Sequence, residues 1–259
     1  MSIRRWGVLA ATGTLAAVAT LIAFAPAALV DVALDRASLG RVRLANATGS
    51  VWNGRGTLVL ADAPEAGASS PVLSGLTFPG ALSWRLRALP LVIGMVDASV
   101  AIEPMSEPVR ISGNPGEVRV AAGALTLPAV DLSRLGSPWN TIRPSAALAV
   151  RWEALTIRHG VLDGRVGIEL QDVSSAMTPV RPLGTYRIDI AGTGREVALT
   201  LSTASGALQL DGQGSWDRGK GVRFTAQARA EGENRIRLQS LLTLIGRREG
   251  DRTIIRIGG

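Results

Sequence analysis

The sequence predicts a mainly β protein: an elongated, mostly antiparallel curved sheet with one or two short helices, preceded by a single N-terminal transmembrane helix. Three observations carry this reading. No residue from Trp6 to Val30 is charged. Beyond that run the apolar period becomes two, as in Arg41-Val-Arg43-Leu-Ala-Asn46. Gly-bearing junctions then recur at short spacing, with no intervening helices of the kind that parallel strands need as crossovers.

The uncharged run is 25 residues long. At about 1.5 Å per residue it spans roughly 37 Å as a helix, enough for a hydrocarbon core of about 30 Å with some tilt. Arg4 and Arg5 are the only charges before it and Trp6 sits where an interfacial anchor would. The positive-inside rule therefore predicts a cytoplasmic 1–5, a membrane-spanning 6–30 and a far-side domain over 31–259. In a Gram-negative cell the far side is the periplasm. The alternative is a cleaved signal peptide, for which Ala23-Phe-Ala25 is a passable site. The run exceeds a typical apolar region of 7–15 residues. Pro26 would also follow the cut, where it hinders the peptidase.

Strands are expected at 41–46, 50–60, 81–87, 94–103, 108–113, 117–127, 147–153, 155–158, 161–170, 184–191, 196–202, 206–211, 222–230 and 252–257. Turn signals fall at Asn53-Gly54, His159-Gly160, Asp163-Gly164, Gly192-Thr-Gly194 and Asp211-Gly212. Residues 61–79 read as a flexible excursion rich in Ala, Gly, Ser and Pro. Asp131 is a plausible cap for one helical turn ending at Leu135. Leu238, Leu241, Leu242 and Ile245 form one apolar stripe of a helix, with capping residues at 231–234 and a C-terminal stop at Gly246. Phrases such as Gly80-Ala-Leu-Ser-Trp84, Gly123-Ala-Leu-Thr-Leu127 and Gly206-Ala-Leu-Gln-Leu210 echo one another. Stacked β units or ordinary Gly-led hairpins would each produce that echo.

Composition argues against several functions. The formal charge is +7, and every basic residue except Lys220 is Arg. The arginines mostly alternate with apolar neighbours, as in Arg41-Val-Arg43 and Arg235-Ile-Arg237, without long runs or aromatic interleaving, which argues against nucleic acid and for a solvated strand face. Attraction to anionic headgroups is a second reading. Cysteine is absent and His159 is the single histidine, so neither thiol chemistry nor a His/Cys metal site is expected. No Gly-x-Ser-x-Gly, phosphate loop or calcium loop occurs. Trp52, Trp84, Trp139, Trp152 and Trp216 are expected in core packing, with an exposed docking face as the alternative.

The segment Thr48-Gly-Ser-Val-Trp-Asn-Gly-Arg-Gly56 stands out, followed by Leu82-Ser-Trp-Arg-Leu86, Leu183-Gly-Thr-Tyr-Arg187, the Gly212-x-Gly-Ser-Trp216 region and Leu241-Leu-Thr-Leu-Ile-Gly246. In order and spacing this resembles the type II secretion system protein N (GspN) family across essentially the whole chain. Gly49, Val51, Trp52, Asn53, Gly54 and Gly56 carry its most specific element. The resemblance implies an accessory inner-membrane component supporting export of folded periplasmic proteins through protein–protein contacts. Its partners would be other secretion subunits, either the inner-membrane platform or the outer-membrane secretin. Membrane lipid would surround the anchor, and no cofactor or enzymatic activity is implied. The family is also reminiscent of AsmA-like envelope proteins, whose elongated, curved sheets bear an apolar groove. That analogy gives the alternative function, lipid binding or transfer.

Overall fold

The computed structural model describes residues 20, 22–38, 40–61, 75–105, 107–135, 139–194, 196–217 and 221–258. Arg4, Arg5, Trp6, most of the uncharged run and most of the 61–79 excursion lie outside the described residues.

The strands are β1 (Val42–Gly49), β2 (Asn53–Ala61), β3 (Gly75–Thr77), β4 (Leu82–Leu86), β5 (Val96–Ile102), β6 (Val109–Asn114), β7 (Glu117–Val120), β8 (Gly123–Asp131) and β9 (Pro144–Trp152). They continue with β10 (Leu155–Arg158), β11 (Val161–Ser175), β12 (Gly184–Thr193), β13 (Val197–Ser205), β14 (Leu208–Asp217), β15 (Gly221–Ala230), β16 (Arg247–Glu249) and β17 (Arg252–Ile257). Among the described residues, the α-helices with defined bounds are α1 (Ala28–Ser38), α2 (Ala88–Val92), α3 (Trp139–Ile142) and α4 (Asn234–Ile245). All seventeen strands join one sheet, and each pairing among the described residues is antiparallel.

The connectivity is a meander. β2 pairs with β1 on one side and with β3 and β4 on the other. The ladder then runs through β5, β6 and β7. The expected strand over 117–127 bends at Ala121–Ala122 into β7 and β8. Their partners β10 and β9 bend in parallel with them, and both pair with β11. From β11 the order is β12, β13, β14, β15, β17 and β16.

Several turn signals prove to be strand. Asn53 and Gly54 open β2, and the hairpin turns over Ser50–Trp52 instead, where Gly49 has φ +92°. Asp163-Gly164 lies inside β11 and Asp211-Gly212 inside β14. Gly212 and Gly214 stay in the ladder because a Cβ there would meet the Phe224 side chain of β15. Glycine here makes room for a ring across the sheet. Gly246 ends α4 in extended conformation close against Ile254, and Glu233 caps it without a side-chain hydrogen bond. The Asp131 turn forms as expected, with Ser133 N–H donating to Asp131 Oδ1 at 3.0 Å.

The described end of the uncharged run is not one helix. Phe24 N–H still donates to Thr20 at 3.0 Å, but Pro26 then forms a bridge with Ser50. Proline has no N–H and disfavours helix in the residue before it. Ala27 N–H donates to Gly49 at 3.1 Å and its side chain is buried against Leu44, Leu82 and Trp84. Among the described residues no helix is long and apolar enough to cross a membrane.

α1 restarts at Ala28 and closes the β1 edge. Val42 N–H donates to Ser38 Oγ at 2.8 Å and Leu44 N–H to Asp31 Oδ1 at 2.7 Å. Asp31 also takes a two-point ion pair from Arg43, at 3.1 and 2.9 Å. These acceptors occupy edge donors that would otherwise invite another strand. The Arg43 guanidinium holds the Asp31 carboxyl below its ordinary value. A lowered carboxylate contributes stability above its unfolded pKa, and that contribution fades as pH falls through the folded one. Asp31→Ala should therefore cost about 1–2 kcal/mol at pH 7. The difference from the unmodified chain, read by urea unfolding across pH, should shrink below about pH 4.

Candidate functional site

Opposed residues in an antiparallel ladder share a face. Gly123, Trp152, Val166, Ile190, Leu199, Gly214, Phe224 and Ile257 oppose one another in succession from β8 to β17. The next row is Leu125, Val150, Ile168, Ile188, Leu201, Gly212, Ala226 and Ile255. At about 4.8 Å between strands, eight strands carry each row roughly 34 Å. On the N-terminal side Trp84, Val100 and Val109 continue the first row, and a Cβ on Gly123 would reach Val109. The opposite face is polar: Arg151, Gly167, Asp189, Thr200, Gln213, Thr225 and Arg256 form its corresponding row.

The apolar face is covered mainly near its ends. Ala27, Val30 and Leu34 pack on Leu44, Leu82 and Trp84. At the other end Leu238 and Leu241 of α4 join Tyr186, Leu208, Ala228 and Ala230. Tyr186 donates its hydroxyl to Leu208 O at 2.8 Å, and burial pushes its pKa up. A third cluster of Leu125, Leu127 and Val130 packs with Phe78 and Met105 over β8. Between these, Val150, Ile168, Ile188 and Leu199 are only half-buried.

The distinctive 49–56 segment organises the N-terminal end. Trp84 stands opposite Gly54, and a Cβ on Gly54 would overlap its ring. The Trp84 indole N–H donates to Val51 O at 3.1 Å. Gly56 gives Leu44 room in the same way. Val51 N–H donates to Ala25 at 2.9 Å, and the Trp52 indole N–H to Ile22 O at 2.8 Å. Leu86 N–H donates to Trp52 O at 2.7 Å, and Asn53 O accepts from Ser50 N–H at 2.9 Å. The segment thus fastens the end of the uncharged run to the first strands.

The Gly–Trp arrangement recurs where Trp152 lies over Gly123 and donates to Ala121 O at 2.9 Å. The leading glycines of the other echoed phrases, Gly80 and Gly206, instead approach the backbone of Glu103 and of Leu183 and Gly184. Trp84 is the one of these indoles that is deeply buried; Trp52, Trp152 and Trp216 are half-buried.

Catalytic geometry is not assembled among the described residues. His159 lies exposed in the turn after β10, with φ +50° and its backbone N–H bonded to Gly116 O. No three His, Asp or Glu side chains there are grouped to hold a metal. A shallow depression against β9, β11 and β12 is bordered by Arg151, Glu153, Arg165 and Asp189 and is lined by no Ser, Thr, Lys or His. On the polar face Asp97 sits between Arg87 and Arg110, and Glu117 between Arg119 and Arg158. These arginines hold both carboxyls below their usual range, the largest effects coming from Arg110 and Arg119.

Gly54→Ala should destabilise by about 1–3 kcal/mol through overpacking, lowering the melting temperature by on the order of 2–10 °C. Gly167→Ala is the control, since its Cβ would meet nothing closer than 3.7 Å. It should melt at or slightly above the unmodified chain in the same thermal scan.

Neither a curated protein nor a solved structure matches the chain. The type II secretion system (T2SS), protein N family matches residues 40–255, from just before β1 into the last strand. That span takes in the 49–56 segment, both Gly–Trp pairs, the apolar rows except Ile257, and α4. The chain belongs to the type II secretion system protein N family, a family of secretion components.

Proposed function

We propose that this chain is an accessory subunit held in the inner membrane by its uncharged N-terminal run, with Arg4 and Arg5 on the cytoplasmic side. Its β-rich domain then stands in the periplasm and supports export of folded proteins across the outer membrane. It acts by contact rather than chemistry, touching the inner-membrane platform or the outer-membrane secretin. The observation that carries this reading is the half-buried apolar face, which fits a partner-binding surface in a secretion component. The sheet edges sharpen it. β1 is closed by Asp31 and Ser38, whereas Arg247, Arg248 and Glu249 of β16 are all exposed at the other edge. The β16 edge is thus open to strand addition. Deleting the gene should abolish or sharply reduce exoprotein secretion, and the detergent-extracted chain should co-purify with a secretion subunit. Intact secretion without any co-purifying subunit would refute the proposal.

The continuous apolar rows favour a second reading, in which acyl chains lie along the face as an envelope lipid-binding protein would hold them. A row of roughly 34 Å exceeds half of a bilayer core about 30 Å thick. Lipid analysis of chain extracted without detergent decides it. Near-stoichiometric phospholipid beyond the annular level of an unrelated single-span protein supports lipid carriage. Annular lipid alone sinks it.

A further inference from the structure

We propose that the β4–β5 loop is a membrane-contacting element, dipping α2 and its flank into the headgroup–acyl boundary beside the N-terminal run. The inference rests on the proposed membrane tether. Leu89, Val92, Ile93 and Met95 are 85%, 84%, 74% and 46% exposed. No charged residue lies between Arg87 and Asp97. Four large apolar side chains clustered in so short a solvent-facing loop mark an interaction surface.

The occupant follows from where the loop sits. Ile22 and Phe24, at the described end of the uncharged run, are themselves 55% and 79% exposed. Two hydrogen bonds connect that point to the loop: Trp52 Nε1 donates to Ile22 O, and Leu86 N–H donates to Trp52 O. Leu86 ends β4 and leads directly into α2. The run and the loop therefore share one end of the sheet, so a bilayer holding the run adjoins the loop.

The loop's chemistry suits a lipid surface. Its backbone is largely satisfied internally: Met95 and Ile93 N–H groups donate to Pro90 O and Gly94 N–H to Leu91 O, while Arg87 N–H donates to Asp97 O. Little backbone would be left unpaired in apolar surroundings. The charged groups behind it have a basic excess, since Arg87 and Arg110 share Asp97 and Arg119 and Arg158 share Glu117. That favours anionic headgroups over an acidic-poor, neutral surface.

The chain contains no cysteine, so single cysteines report cleanly. Val92→Cys, Ile93→Cys and, on the polar face, Thr200→Cys are each labelled with an environment-sensitive fluorophore in the full chain. The labelled chains are reconstituted in vesicles of phosphatidylethanolamine and phosphatidylglycerol. The labels at 92 and 93 should emit at shorter wavelength and be quenched severalfold more by lipid-attached nitroxide than the label at 200. Iodide should quench them correspondingly less. Iodide quenching equal to that at 200, in chain that floats with the vesicles and resists carbonate extraction, overturns the loop proposal and leaves the tether standing. Labels shielded from both quenchers overturn it in favour of a protein-covered patch. Chain that fails to float with vesicles overturns the tether and the loop together.

Discussion

The structure depends on one constraint, the antiparallel register that holds like residues opposite one another across more than eight strands. Because strand side chains alternate, a slip of one residue would send Ile168, Ile188 and Leu201 to the polar side and Asp189 and Thr200 to the apolar one. The glycines fix this register locally. Gly54, Gly123 and Gly214 sit opposite Trp84, Trp152 and Phe224, and each ring fits only where the opposing side chain is missing. Three of the few rings, Trp84, Trp152 and Phe224, thus lie over glycines among Val, Ile, Leu and Ala.

A sheet with one apolar face must bury it or use it. Here α1 and α4 take the ends, where Leu44, Trp84, Leu208 and Ala228 are buried. Among the described residues the middle has no comparable cover, and Val150, Ile168, Ile188 and Leu199 stay half-buried. Under the proposed function, that half-buried middle is the surface through which the subunit makes its contacts. The same reasoning explains the distribution of charge. Arginines on the opposite face pair around Asp97 and Glu117, while Arg43 pairs with Asp31 at the β1 edge.

Much of this was legible in the sequence, because period-two alternation and Gly punctuation are local signals. The strands, the antiparallel arrangement, the late helix around Leu238 and the Asp131 turn all followed from them. The errors share a cause. Asn53-Gly54, Asp163-Gly164 and Asp211-Gly212 read as turns because glycine is a turn former. In this fold each lies in a strand, and at Gly54 and Gly212 a ring across the sheet requires the glycine, a tertiary fact invisible to a local window. The break at Pro26 was present in the sequence as a helix-disfavouring residue, but the lack of charge through Val30 masked it. The half-buried face was legible only as a row of apolar strand positions; which of them the helices leave uncovered depends on where α1 and α4 pack.

The central claim is that the uncovered middle of the apolar face is the working surface. The most direct test replaces Ile168 and Ile188 together with lysine in the full chain and measures exoprotein secretion in a deletion strain, alongside β-sheet circular dichroism and thermal melting of the purified variant. The account predicts secretion reduced to the deletion level by a variant that is still folded and still in the membrane. Wild-type secretion from such a variant would contradict it.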